Sequence, residues 1–217
     1  MRKTMMRAGA CLSALVLLGA ATASAASAVQ FHTESSPSYP YGAGTLTFSF
    51  PLLGSERTYD LECTNSSLTS ETTGTALKTL ALDPKIYGCE DYQEFPVQVT
   101  VNSCRFRFNQ PNASGQSTLS LLQCPSTAPI VIKFTANVGN CTVKISEAGN
   151  SNLSGVTFGA QGSGTSRALE TNLAVSAVGT GSNCWVFSPS STKISMQTTL
   201  RAYKDASHTI QQGLWLE

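Results

Sequence analysis

The stretch 96-PVQVTVNSCRFRFN-109 decides the fold. Val97, Val99 and Val101 occupy odd positions, whereas Cys104, Phe106 and Phe108 occupy even ones. Side chains of an extended chain alternate between faces, so each set forms one apolar face, with Arg105 and Arg107 opposite the second. A single straight strand cannot bury both sets on one side, because a shift of one residue flips the face. Two strands are therefore expected, joined at Asn102-Ser103 by a tight turn or a bulge.

Working outward, the same alternation recurs. CTVKI at 141–145 turns Cys141, Val143 and Ile145 inward and Thr142 and Lys144 outward. TLTFSF at 45–50 buries Leu46, Phe48 and Phe50, and RTYDLEC at 57–63 buries Tyr59, Leu61 and Cys63. STLSLLQC (117–124), PIVIKFTA (129–136), GVTF (155–158), LETNLAVSAV (169–178), CWVF (184–187) and KISMQTTLRAYK (193–204) also read as strands. NVGN, the glycine-rich GAQGSGTS at 159–166 and DASH at 205–208 read as turns or loops. LKTLALDP at 77–84 is the one place where a helical turn competes, and Pro84 stops it. Short strands at this spacing predict an all-β antiparallel sandwich or barrel-like fold carrying disulfides.

The N-terminus reads as an export signal over residues 1–25. Arg2, Lys3 and Arg7 precede an apolar run from Cys11 to Ala21, and Ala23-Ser24-Ala25 fits the cleavage rule. The run is too short to span a bilayer, and no later segment approaches the ~20 apolar residues a membrane helix needs. Cleavage removes 25 of 217 residues and three of the 14 cations, leaving 192 residues with 11 Lys+Arg against 13 Asp+Glu, a net charge of −2. That balance excludes a basic nucleic-acid footprint. Residues 26–44, with Pro37, Pro40, Gly42 and Gly44, read as a flexible lead-in, and 45–217 as a single domain.

Six cysteines remain after cleavage: Cys63, Cys89, Cys104, Cys124, Cys141 and Cys184. An even count in an exported chain predicts three disulfides. A metal site is disfavoured, since no C-x-x-C pair occurs and His32 and His208 lie near opposite ends of the mature chain. The echo between LEC at 61–63 and LQC at 122–124 supports a Cys63–Cys89 bridge. The other four allow Cys104–Cys124 with Cys141–Cys184, or Cys124–Cys141 with Cys104–Cys184; the first set is preferred because the hairpin about 110–116 brings Cys104 near Cys124.

Catalytic signatures are missing from this reading. No G-x-S-x-G elbow occurs, and Asp205, Ser207 and His208 crowd one turn instead of converging from separate elements. Paired carboxylates of a glycosidase could come from Glu62, Glu90, Asp91 and Glu170. The cluster Glu90, Asp91 and Glu94 reads as a solvated loop, because its spacing does not match a calcium loop. GAQGSGTS lacks the lysine of a phosphate-binding loop. No catalytic, cofactor-binding or metal-ligating residue is assigned. Tyr92, Trp185 and Trp215 are the candidate ligand-contact aromatics, although a tryptophan within a strand usually serves the core.

FHTES at 31–35, LEC, YGC at 87–89, VNSCRFRF, LQCP, GNCTVKI and the terminal GLWLE together resemble uncharacterised secreted, cysteine-containing β proteins of high-GC Gram-positive (actinobacterial) soil bacteria. The resemblance spans most of the mature chain, rests on cysteine spacing, and departs from the family where Asn102-Ser103 stands in place of Asn-Gly. It implies a secreted β protein and brings no activity, cofactor or ligand. Sequence alone thus points to an extracellular binding or cell-envelope component, secreted or at the cell surface. The alternatives are a secreted glycoside hydrolase, or a protease inhibitor presenting the loop 110–116.

Overall fold

The structure, a computed structural model, describes residues 29–135, 140–159, 166–187 and 189–217. The expected export signal, nearly all of the NVGN turn and most of the GAQGSGTS loop lie outside them. The first strands are β1 (Phe31–Thr33), β2 (Tyr41–Pro51), β3 (Thr58–Thr69), β4 (Ala76–Leu77), β5 (Leu80–Lys85), β6 (Cys89–Asp91), β7 (Gln98–Val101), β8 (Arg105–Phe108) and β9 (Gln116–Leu122). They are followed by β10 (Ile130–Phe134), β11 (Cys141–Ile145), β12 (Leu153–Phe158), β13 (Ser166–Val175), β14 (Val178–Thr180), β15 (Thr192–Tyr203), β16 (Gln211–Gln212) and β17 (Leu214–Leu216).

Eight of these strands close an antiparallel barrel in the order β13-β12-β9-β8-β5-β3-β2-β15, sealed by the pairing of β13 with β15. Alternation fills the lumen with Leu46, Phe48, Phe50, Leu61, Phe106, Phe108, Leu169, Leu173, Ile194 and Leu200, all buried. Each such side chain stabilises the fold by about 1.5–3 kcal/mol relative to exposure. The outer wall carries Thr45, Thr47, Ser49, Glu62, Glu170, Asn172, Lys193 and Ser195. An apolar lumen inside a polar wall is the reverse of a membrane barrel. Among the described residues, no helix is long and apolar enough to cross a membrane.

Two smaller sheets cap the barrel. Phe158 aligns through Leu169 and Thr198 with Gly44 on β2. Phe50 lies six residues further along that strand, about 20 Å away. At the Phe158 end, Phe31 of the sheet β17-β1-β4 packs edge-on to Phe158 at 5.0 Å. At the Phe50 end, Phe134 of the sheet β14-β11-β10-β7 joins Phe50, Tyr59 and Phe187 in a box of rings 5.2–5.7 Å apart. All three sheets share one continuous core.

The phase change in PVQVTVNSCRFRF now has its cause. β7 belongs to the four-stranded sheet and β8 to the barrel, so Asn102-Ser103 is a crossing between sheets and not a hairpin turn or bulge. The Asn102 amide donates to the Pro129 carbonyl and the Ser103 hydroxyl to that of Gln123, holding the crossing. A second phase change lies inside β3. Burial passes from Tyr59, Leu61 and Cys63 to Ser66 and Leu68 through a bulge, where Thr64 and Asn65 donate to the Gly88 and Tyr87 carbonyls. On β12 another bulge needs Gly155 at φ 100°, where a Cβ would fall on the Asn172 carbonyl oxygen.

Three bridges form: Cys63–Cys89, Cys104–Cys124 and Cys141–Cys184. Cys63 and Cys89 are directly opposed in the β3–β6 pair. Cys104 and Cys124 close the β8–β9 hairpin, as its fold about 110–116 requires.

Three local expectations are corrected. The lead-in is packed in part: Val29 and Phe31 are buried, Phe31 pairs with Leu216, and Tyr41 to Gly44 already belong to β2. Residues 77–84 form no helical turn, because Leu80 and Leu82 are drawn into the core by pairing with Phe108 and Phe106. CWVF is not a strand: residues 184–186 form a 3-10 turn, and Phe187 alone turns into the core.

Candidate binding surfaces

The aromatic end of the barrel is organised by Asp91. The Tyr59 hydroxyl donates to its Oδ2 at 2.5 Å, while its Oδ1 accepts the amide N–H groups of Gln93 (2.8 Å) and Phe95 (3.0 Å). This carboxylate shapes the turn 91–95, in which Glu94 adopts φ 63°. Burial raises the Tyr59 pKa well above the usual tyrosine value, and the hydrogen bond to Asp91 and the charge on it add to the effect. The acidic cluster is therefore corrected in part. Asp91 is 6% exposed and structural, whereas Glu90 and Glu94 face solvent. No group of three or more His, Cys, Asp or Glu suited to a metal ion occurs among the described residues.

Around the ring box three loops meet. Tyr92 stands edge-on to Tyr59 at 5.2 Å. The Val186 carbonyl accepts the Leu53 N–H at 3.1 Å, and Leu52 bridges Phe187. On this frame Leu53, Tyr92 and Trp185 are 60%, 64% and 71% exposed, with Phe95 beside them. Trp185 is the opposite of a core tryptophan, because the 3-10 turn points it outward. Trp215 lies at the other end, partly buried, stacked on His32 at 5.7 Å with its indole N–H donating to Glu217. Two of the three candidate aromatics thus lie at the same end of the barrel, and the third lies at the other. Sequence alternation could not find Leu53, since its exposure depends on a turn between β2 and β3.

A second surface is a polar groove of about 870 Å³ across the outer faces of β12, β13, β15, β2 and β3. It contains Glu62 and Glu170, with Thr45, Thr47, Ser195 and Gln197 between them. The register places β15 and β2 between the two acids. Three strand spacings separate their backbones by about 14 Å, whereas the carboxyl groups of glycosidase pairs stand ~5–9.5 Å apart. Glu90 lies directly opposite Glu62 on the flank of the barrel.

Two other chemical candidates resolve into local structure. Asp205 accepts hydrogen bonds from the Ser207 hydroxyl and from Thr209 and Ile210. The first of these, with the backbone bonds, holds its carboxyl well below the usual range. His208, at φ 57°, packs its ring 4.6 Å from Tyr41 and 5.1 Å from Tyr203, so the three residues form a turn and not a relay. The loop 110–116 does not stand clear of the barrel. Pro111 accepts from Val29, Gly115 accepts from Phe158, and the Asn112 side chain caps Ser114 and Gln116.

Fold and surfaces together define a disulfide-bonded, antiparallel β-barrel protein with a displayed aromatic end. Comparison with protein-family models, with curated proteins and with solved structures finds no match to this chain.

Proposed function

We propose that the chain is a secreted, non-enzymatic binding protein or cell-envelope component that holds an extracellular ligand through its aromatic end. One observation carries this reading: Leu53, Tyr92 and Trp185 are each more than half exposed on neighbouring loops. Disulfides lie close by, Cys63–Cys89 next to the turn 91–95 and Cys141–Cys184 next to Trp185. Large rings held rigidly in solvent lose little entropy on binding, and Trp and Tyr dominate the energetics of such contacts. Three disulfides suit an oxidising compartment. The tucked loop 110–116 makes inhibitor the weaker reading, and the groove acids Glu62 and Glu170, on strands three spacings apart, do not form a hydrolase pair.

Cosedimentation with isolated cell walls of a high-GC Gram-positive bacterium tests the proposal. The oxidised mature chain is retained, and the double variant Trp185→Ala, Tyr92→Ala loses more than about tenfold of that retention with its melting temperature unchanged. Equal retention of the variant removes the aromatic end from the reading. Failure of the parent chain to bind removes the envelope.

A further inference from the structure

The hairpin whose tip carries Tyr92 opens at its base. Its rungs run from Asp91–Phe95 through the Glu90–Pro96 bridge to Cys89, whose carbonyl accepts the Val97 N–H. Beyond that rung the two arms part. Residues 83–85 follow the barrel by pairing with β3, while β7 leaves for the four-stranded sheet by pairing with β10. Between them lies a wedge of about 610 Å³, with Asp83 to Tyr87 on one wall and Val99 to Val101 on the other.

β7 is the edge of its sheet, and among the described residues it pairs with β10 alone. Alternate backbone N–H and C=O groups of an edge strand point away from the sheet and are matched only by another extended backbone. Edges are ordinarily guarded by charge or proline, yet Gln98-Val99-Thr100-Val101 carries neither. A second copy of the chain is a poor occupant, because residues 83–87 of the same chain face the edge across the wedge, where the rest of a second sheet would lie. Of the wedge's charged groups, Arg105 pairs with Asp83 at 2.5 Å, which leaves the cation of exposed Lys85 to attract an acid.

We propose that this wedge is a peptide-binding groove, in which an extended, acid-bearing segment of a partner protein adds as a strand to the free edge of β7. Main-chain hydrogen bonds supply the affinity and Lys85 sets the preference for an acidic side chain. Exposed Tyr87 forms the lip of the groove. The site is independent of the aromatic end and stands or falls without it.

The test pans a random peptide-display library against the intact, oxidised mature chain and synthesises the recovered peptides. The expected peptides alternate β-branched residues with Asp or Glu and slow hydrogen exchange at β7 amides. They weaken about three- to tenfold for each backbone amide N-methylated on the face toward β7. Lys85→Ala weakens them about two- to fivefold, and Trp185→Ala leaves them unchanged. Recovery of no peptide, indifference to N-methylation, or protection of amides elsewhere than β7 would each overturn the proposal.

Discussion

The barrel and the four-stranded sheet are built from the same kind of strand, yet they treat their edges differently. In the barrel, β13 pairs with β15 over ten residues and no edge remains. In the small sheet, β7 and β14 both end the order. Closure satisfies every strand through its neighbours, so barrel stability is spread around the ring. The small sheet has no such ring and must be fastened to something else. It is held by one buried face, by the ring box and by the Cys141–Cys184 bridge. Among the described residues its two end strands each pair on one side only, and the exposed aromatics gather where it meets the barrel.

If fastening by the ring box is what joins the two regions, Phe187→Ala has the largest effect. Unfolding in urea should show a loss of about 3–5 kcal/mol in a single transition. Two separate transitions would break the comparison, because the small sheet would then melt by itself. Replacing Cys141 and Cys184 together by alanine should cost about 2–4 kcal/mol. Hydrogen exchange should then quicken at β10 and β11 more than in the barrel, and an even rise throughout would argue against local fastening.

The boundary also responds to alkali through Tyr59. Its pKa is raised, so the folded chain keeps a proton that the unfolded chain releases near pH ~10. This contribution is whole below that pH and is lost as pH rises beyond it. Ultraviolet titration should find one tyrosine ionising after the others, and Asp91→Asn should bring it closer to them. The smallest effect tests the barrel flank. Glu62 and Glu90 are opposed like charges, so Glu90→Lys should stabilise by about 0.2–1 kcal/mol in thermal melts at low salt.

Much of this architecture was legible in the chain. TLTFSF, RTYDLEC, CRFRF, CTVKI and KISMQTTLRAYK alternate with period two, and each buries the face its pattern assigns. The six cysteines pair in the preferred set, with Cys104–Cys124 closing its hairpin, although Cys184 lies in a 3-10 turn and not on a strand. Trp185 was misread as a strand residue, because a 3-10 turn and a strand look alike over four residues. By spacing Asp91 is like any loop acid, and its hydrogen bond from the Tyr59 hydroxyl, 32 positions away, belongs to the tertiary structure. Leu53 is likewise held beside Val186, far along the chain, by a backbone hydrogen bond that alternation does not show.

Local alternation and cysteine placement therefore determined the class of fold, the inward faces and the existence of bridges, because these depend on side chains two residues apart. The tertiary structure decided which sheet each strand joins, that eight strands close into a ring, and that β7 ends its sheet. Backbone hydrogen bonds between strands are blind to side-chain identity, so strand neighbours are chosen by the packing of the whole core.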